Sequence, residues 1–508
     1  MPEHSNPRAG GAAAIAPFGQ ALDVLLSIMA SLDEAGIRYC HWKSNYHIGY
    51  AMSAAEDVDI LIDRSRWSEF VVILLQHNFK AAASVTSRNQ PGVFHFLGND
   101  DATGTFVNVH AYARILTGDH FLKSWALPFE RLLLEHTHED SGIRIPDASS
   151  EILIFVIRNM LKMTTLVDLF YATRAAEATL EECHWLLERT DLDTARKRLA
   201  VHFPQIPDQD FLTALNMLKT RSSLWSRIPL GLRFARQLGQ YRRYGPVRQS
   251  LVSAVFALRL VINKFVRRQK HMHLLTGGKI IALVGPQATG KSTLVAALAK
   301  WLGAELKVTT IHAGKPPSTL ATLLPNALIP LVRRLAPRQA TIVVEKKLEE
   351  TPEARLSPVF VVRKVMLAYE RKALLRRAFR ATRNGAIVVC DRYPSDALGA
   401  IDGATFSDAT IARQSWGLIR WLMRLERKLY DSVCPPDVVV KLTVSVEKAV
   451  ERNRTRDKKG NQTTDYVRLR HAMRTAPRFE RCPSVELSTD ADLDETCLRL
   501  KRIVWPHL

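Results

Sequence analysis

Residues 285–293 read Gly-Pro-Gln-Ala-Thr-Gly-Lys-Ser-Thr, the spacing G-x-x-x-x-G-K-S, in which a glycine-rich backbone can close around phosphate oxygens. The apolar residues 280–284 before it have the length of a buried strand. Residues 294–302 after it have helical periodicity, so the run is a strand-to-helix turn. Gly285, Gln287, Ala288, Thr289, Gly290, Lys291, Ser292 and Thr293 are therefore expected to cradle a nucleoside triphosphate such as ATP. Lys291 would neutralise its β and γ phosphates, and the Ser292 hydroxyl would ligate Mg2+.

A second constellation follows the apolar run 387–390, which ends in Asp391-Arg392-Tyr393. A carboxylate at a strand C-terminus lies beside the bound phosphates of an open α/β sheet, so Asp391 is expected at the Mg2+ ion or one of its waters. No acidic residue follows Asp391 directly and no Asn-Lys-x-Asp occurs, which favours transfer to an acceptor over hydrolysis. Upstream, Arg371 and Lys372 close the run Tyr369-Glu370-Arg371-Lys372. Downstream, Arg452, Arg454 and Arg456 alternate at a spacing of two, which fits a helix end running into a lid loop whose guanidinium forks stabilise charge during phosphoryl transfer.

A third constellation is N-terminal. Ser44 is followed thirteen residues later by Asp57-Val58-Asp59, and strand alternation puts both carboxylates on one face, as a metal pair for nucleotidyl transfer requires. A later strand, residues 106–110, offers Asn108 where a third carboxylate would stand.

Residues 279–508 resemble the thymidylate kinase branch of the nucleoside monophosphate kinases, through the phosphate loop, Arg371, Asp391-Arg392-Tyr393 and the basic run 452–456, in that order. The resemblance implies that Arg371 and Arg392, with Tyr393 and Lys315 beside them, hold an acceptor phosphate. Gly314-Lys315-Pro316 replaces the family's Arg-Glu-Pro, and its Tyr-Gln pair is replaced within residues 395–403. Ser44, Asp57 and Asp59 resemble the site of a minimal nucleotidyltransferase fold. The combination resembles two-domain proteins of bacterial surface-polysaccharide gene clusters.

The elements that must position these residues can be outlined. At 508 residues, 47% hydrophobic and 24% charged, the chain is long enough for two or three globular domains. The expected organisation is a loose tail over residues 1–19, a mixed α+β domain over 20–148, helices over 149–220, a basic linker over 221–277 and a doubly wound parallel α/β domain over 278–508, with strands at 280–284, 307–311, 386–390, 438–442 and 485–487. The proline-rich insertion 316–358 reads as a flap. Six scattered cysteines form no C-x-x-C pair, and no stretch reaches the length of a spanning helix, so a cytosolic protein with reduced thiols is expected.

The net charge of +21 favours phosphorylated ligands, nucleic acid or an anionic membrane. More than half of it lies in residues 221–270, with twelve Lys or Arg and no acid, around an amphipathic segment at 251–266 suited to the inner face of a membrane. The expected partners are ATP, a phosphorylated small-molecule acceptor, that membrane surface and a second copy in a homodimer. Nucleic acid ranks below them, although Trp225, Phe234, Tyr241 and Tyr244 could stack on bases. Two rival functions stay open: phosphorylation of an alcohol with Asp391 or Asp396 as base, and an ATP-gated assembly factor at the membrane.

Overall fold

The computed structural model describes residues 19–84, 90–118, 122–164, 176–220, 223–262, 265, 271–319, 322–323, 356–398, 400, 402–454, 467–468 and 477–508. They belong to two compact units, residues 1–270 and 271–508.

In the first unit, β1 (Tyr39–His41), β2 (Val58–Ile62), β3 (Lys80–Ser84), β4 (Val93–Asn99) and β5 (Phe106–Tyr112) line up in the order β1-β2-β5-β4-β3. Only β2 and β5 run parallel; the other pairs are antiparallel. Successive β2 residues serve different cores, as a two-residue period requires. Ile60 and Ile62 pack with Leu25, Ile28 and Leu32 of α1 (Asp23–Glu34) and with Phe70 and Leu74 of α2 (Trp67–Gln76). Leu61 points the other way, into a core shared with Trp42, Tyr112 and the helices that follow.

The centre of that second core is α3 (Ala148–Leu161), whose first turn is capped by the Asp147 carboxylate accepting from the Ser150 amide. All of α3 except Ala148 and Arg158 is buried, because α4 (Ala176–Arg189), α5 (Leu192–His202), α6 (Asp208–Lys219) and α7 (Leu224–Gln237) surround it through Cys183, Leu199, Phe211 and Phe234. The helical region is thus continuous with the first unit, and the expected boundary at residue 220 falls inside it. Among the described residues, several of the cations counted in the linker serve this unit, Arg242 by lying over the Trp125 ring (4.9 Å) and three others by hydrogen bonds. Arg227 is buried and donates to the Met217 carbonyl (2.9 Å), Arg233 pairs with Asp210 (2.7 Å), and Arg243 donates to the carbonyls of Leu122 (3.1 Å) and Lys123 (2.9 Å). Phe234 is fully buried, so it cannot stack on a base.

The expected amphipathic helix is present as α8 (Pro246–Ile262). Leu251, Val255, Leu258, Ile262 and, just beyond it, Phe265 are 39–68% exposed and recur at alternating steps of four and three residues. No helix among the described residues is long and apolar enough to cross a membrane.

The second unit has β6 (Ile280–Val284), β7 (Val308–His312), β8 (Ile387–Asp391), β9 (Val438–Thr443) and β10 (Ser484–Ser488), in the spatial order β7-β8-β6-β9-β10. Every pair is parallel. The strands lie within a residue or two of their expected places, and β6, β8 and most of β9 are buried as near-continuous apolar runs, which a sheet covered on both faces requires. The crossover helices are α9 (Lys291–Leu302), α10 (Pro358–Arg383), α11 (Gly417–Asp431) and α12 (Val446–Arg454), and α13 (Leu493–Val504) follows the last strand. Strand order reverses at β6, so the cleft outside its C-terminal end is the switch point where ligands of such sheets bind. Most of the insertion 316–358 lies outside the described residues.

Phe155 is 1% exposed at the middle of α3. Truncation to Ala is expected to cost about 3–5 kcal/mol, seen as a lower urea midpoint for the first unit's unfolding transition, with the second unit's transition unchanged.

Candidate functional site

Between β6 and α9 the backbone takes conformations that side chains disfavour. Gly285 has φ +154° and Gly290 φ +78°, and a Cβ at 285 would stand 2.5 Å from the Leu442 carbonyl oxygen of β9. Ala288 holds φ +63°, a left-handed conformation that costs an alanine on the order of 1 kcal/mol and is tolerated where the surrounding structure imposes it. Thr289, fully buried, donates to the Pro286 carbonyl (3.0 Å). The buried Lys291 ammonium donates to the same carbonyl and lies 3.1 Å from Thr289 Oγ1. These bonds hold the loop curled, and the first-turn amides of α9, which have no carbonyl partner within the helix, face its hollow. Gln287 is half-buried, and Thr293 is exposed on the first turn of α9.

Asp391 is the last residue of β8, the strand beside β6. Its Oδ2 accepts from the Ser292 hydroxyl at 2.7 Å, while Oδ1 is buried with no hydrogen-bond partner. A hydroxyl and an unsatisfied carboxylate at the edge of an anion-binding loop form an oxygen set that fits Mg2+, which takes one or two protein oxygens and completes its shell with phosphate and water.

On the far side of Asp391 the chain turns through Arg392 at φ +73°. Its side chain passes over Gly314, where a Cβ would lie 2.3 Å from Arg392 Cδ, so the departure Gly314-Lys315-Pro316 makes room for this arginine. Arg392 Nη1 donates to Asp402 Oδ2 (2.9 Å), and Arg371 Nη2 donates to Asp402 Oδ1 (2.5 Å). Asp402, which the sequence did not single out, thus bridges both arginines.

Several expected site residues have other work in the structure. Arg371, 5% exposed, also donates to the carbonyls of Ala313 (2.9 Å) and Asp402 (3.2 Å) and to the Tyr430 hydroxyl (2.7 Å). Four of its donor bonds are made to protein, and through Asp402 it is linked to Arg392. Tyr393 is buried and its hydroxyl donates to the Cys434 carbonyl, which places it in the core; burial pushes its pKa up. Arg452 donates to the Thr489 carbonyl (2.6 Å) and hydroxyl (3.1 Å), anchoring the end of α12 to the end of β10; the loop that follows, residues 455–466, lies outside the described residues. Arg454 is exposed in the last turn of α12, and Arg456 lies outside the described residues. Lys315 is exposed just after β7, on the same edge of the sheet as the phosphate loop. Asp396, the alternative base, is held by Arg481 (2.7 Å) and the Glu480 amide (3.1 Å).

In the first unit, the β2–β5 register places Asp59 opposite His110. His110 Nδ1 is 3.4 Å from Asp59 and its Nε2 3.4 Å from Asp57; Asn108 donates to Asp57 Oδ1 (2.9 Å), and the Lys43 ammonium sits 3.1 Å from Asp59. The two carboxylates and Asn108 converge as their spacing implies, yet each carboxylate faces a basic side chain of the protein, and Asn108 acts as a donor. Burial opposes ionisation of Asp59, but Lys43 and His110 outweigh it and hold its pKa below the usual carboxylate range. Burial would lower His110, but Asp57 and Asp59 outweigh it and raise its pKa above 6.5. Ser44, at φ +57°, starts the 3-10 turn Asn45–His47 and makes no side-chain cap. Among the described residues no group of three His, Cys, Asp or Glu could hold a metal ion. Lys43 and His110 were not singled out by the sequence; a lysine one residue before Ser44 and a histidine two after Asn108 were the signals available.

No family model matches this chain. A relative described as the uncharacterized ATP-binding protein YghS of Escherichia coli (strain K12) is 26% identical over 193 residues, which cover 36% of this chain and 78% of the relative.

Lys43→Met leaves the buried Asp59 carboxylate without its ammonium and is expected to destabilise the first unit by about 3 kcal/mol, read by urea unfolding. His110, with a raised folded pKa, contributes its charge-dependent stability in full below 6.5 and loses it as pH rises through that raised value. The stability difference between the parent and His110→Gln should therefore be larger at about pH 6 than at about pH 9, and a difference that grows with pH would contradict the pairing.

Proposed function

We propose that the second unit is an ATP- and Mg2+-dependent phosphotransferase of nucleoside-monophosphate-kinase type. The observation that carries this reading is the curled 285–293 loop at the switch point of a parallel sheet, with Ser292 and Asp391 in contact beside it. Lys291 would leave the Pro286 carbonyl for the β and γ phosphates, and Ser292 with Asp391 would hold Mg2+, which would supply charge neutralisation there. The 26% identity to a protein described as ATP-binding supports the choice of nucleotide. Arg392 is the cation that faces the acceptor, with Asp402 fixing its guanidinium and Arg371 fixing Asp402. An acceptor phosphate is already ionised and needs no general base, in keeping with the engagement of Asp396 by Arg481.

A coupled assay of ATP consumption across nucleoside monophosphates tests the reading, and no acceptor-dependent turnover with any of them would exclude it. Lys291→Ala is expected to weaken MgATP binding at least tenfold by calorimetry. Arg392→Ala should bind MgATP almost as tightly as the parent and lose phosphoryl transfer; collapse of ATP binding in a folded Arg392→Ala protein would move Arg392 to the donor site.

The first unit's α8 supports a place at an anionic membrane surface. Its exposed residues 251, 255, 258, 262 and 265 follow the spacing of a two-stranded seam, but pairing two copies would bring together two segments of twelve cations each with no acid. An anionic bilayer accepts the apolar stripe and neutralises the charge at once. The protein should sediment with anionic vesicles at low salt, less with neutral ones, and lose binding as salt rises; equal sedimentation with both vesicle types would remove the electrostatic part.

A further inference from the structure

The C-terminal half of α10 carries a groove unconnected with the site above. A cavity of about 240 Å³ is lined by Lys372, Arg376, Arg377 and Arg380, with Tyr369, Ala373 and Leu429 as its remaining walls. Stepping 100° per residue, Lys372, Arg376 and Arg380 lie roughly 100–180° around the helix from Arg371, so the groove is on the face turned away from Asp402.

Among the described residues none of the four cations pairs with a carboxylate. Elsewhere in this unit arginines do: Arg427 with Asp408, Arg481 with Asp396 (2.7 Å) and Arg499 with Glu495. Lys428 adds a fifth positive charge: partial burial, then Arg376 and Lys428, hold the Lys372 pKa below its ordinary value. Cations gathered in one recess without a counter-ion repel each other, and a bound anion relieves that repulsion.

We propose that this groove is a second anion site that takes a small ligand bearing a di- or triphosphate. The cations extend over two helical turns, roughly 12 Å from 372 to 380, more than one phosphate can bridge. Three of them are arginines, whose forks match phosphate oxygens in pairs. Tyr369, 44% exposed, and Leu429 supply an apolar wall for the rest of the ligand. The volume suits a small molecule, and the proposal does not rest on the phosphotransferase reading.

The test is calorimetric titration of the full chain with inorganic tripolyphosphate in a Lys291→Ala background, so that the phosphate loop contributes little. Adding Arg376→Ser and Arg380→Ser is expected to weaken binding at least tenfold, with the urea midpoint unchanged because both side chains are exposed. Adding Arg499→Ser and Arg502→Ser instead removes the same charge from α13 and should leave affinity within about twofold. Unchanged binding after the groove substitutions overturns the proposal. So does an equal loss from the α13 pair, which would mean net charge alone. A single-stranded oligonucleotide that binds more tightly than tripolyphosphate and is lost with the groove arginines also overturns it, in favour of nucleic acid. Failure of Lys291→Ala to weaken MgATP binding would sink the phosphate-loop reading and leave the groove comparison standing.

Discussion

The C-terminal edge of the second unit's sheet depends on one close approach, that of the Gly285 backbone to the Leu442 carbonyl, which leaves 2.5 Å where a side chain would begin. Because β9 flanks β6, any Cβ at 285 would push the loop away from the sheet. With glycine there, the chain curls at once and α9 starts with its free amides directed at the switch point. The other neighbour of β6 is β8, so Asp391 arrives beside Ser292 as a consequence of strand order. Ala288 accepts a left-handed conformation because Thr289 and Lys291 tie the loop to Pro286 on either side of it.

At Asp402 and at the Asp57–Asp59 pair the charges are met locally by other protein groups. Asp402 neutralises one of the two arginines it bridges, leaving a single net positive charge where an acceptor would lie. The buried Asp59 is answered by Lys43 and His110, as a buried charge must be, and the part-exposed Asp57 lies against His110 as well. This pairing separates the units chemically. The second retains a buried, unpartnered carboxylate oxygen at Asp391 next to an anion cradle, whereas in the first a lysine and a histidine stand against the carboxylates that a metal pair would need.

The sequence by itself determined the phosphate loop, the five parallel strands, the helical layer and the amphipathic α8, because each is a local property: glycine spacing, apolar runs of strand length, or a helical period. It also placed Asp57, Asp59 and Asn108 together, since two-residue alternation and adjacent strands suffice. The tertiary structure alone decided which polar and charged side chains are engaged by other protein groups. Arg371, Tyr393 and Arg452 have the types and positions of ligand contacts, yet a carbonyl or hydroxyl from a distant segment meets each: Ala313 and Tyr430, Cys434, and Thr489. Asp402, Lys43 and His110 gained their roles in the same way, from partners brought near by folding. A side chain's type states what it can bond, but the bond it makes is set by which buried group most needs a partner once the backbone is in place, and that depends on contacts no local spacing records.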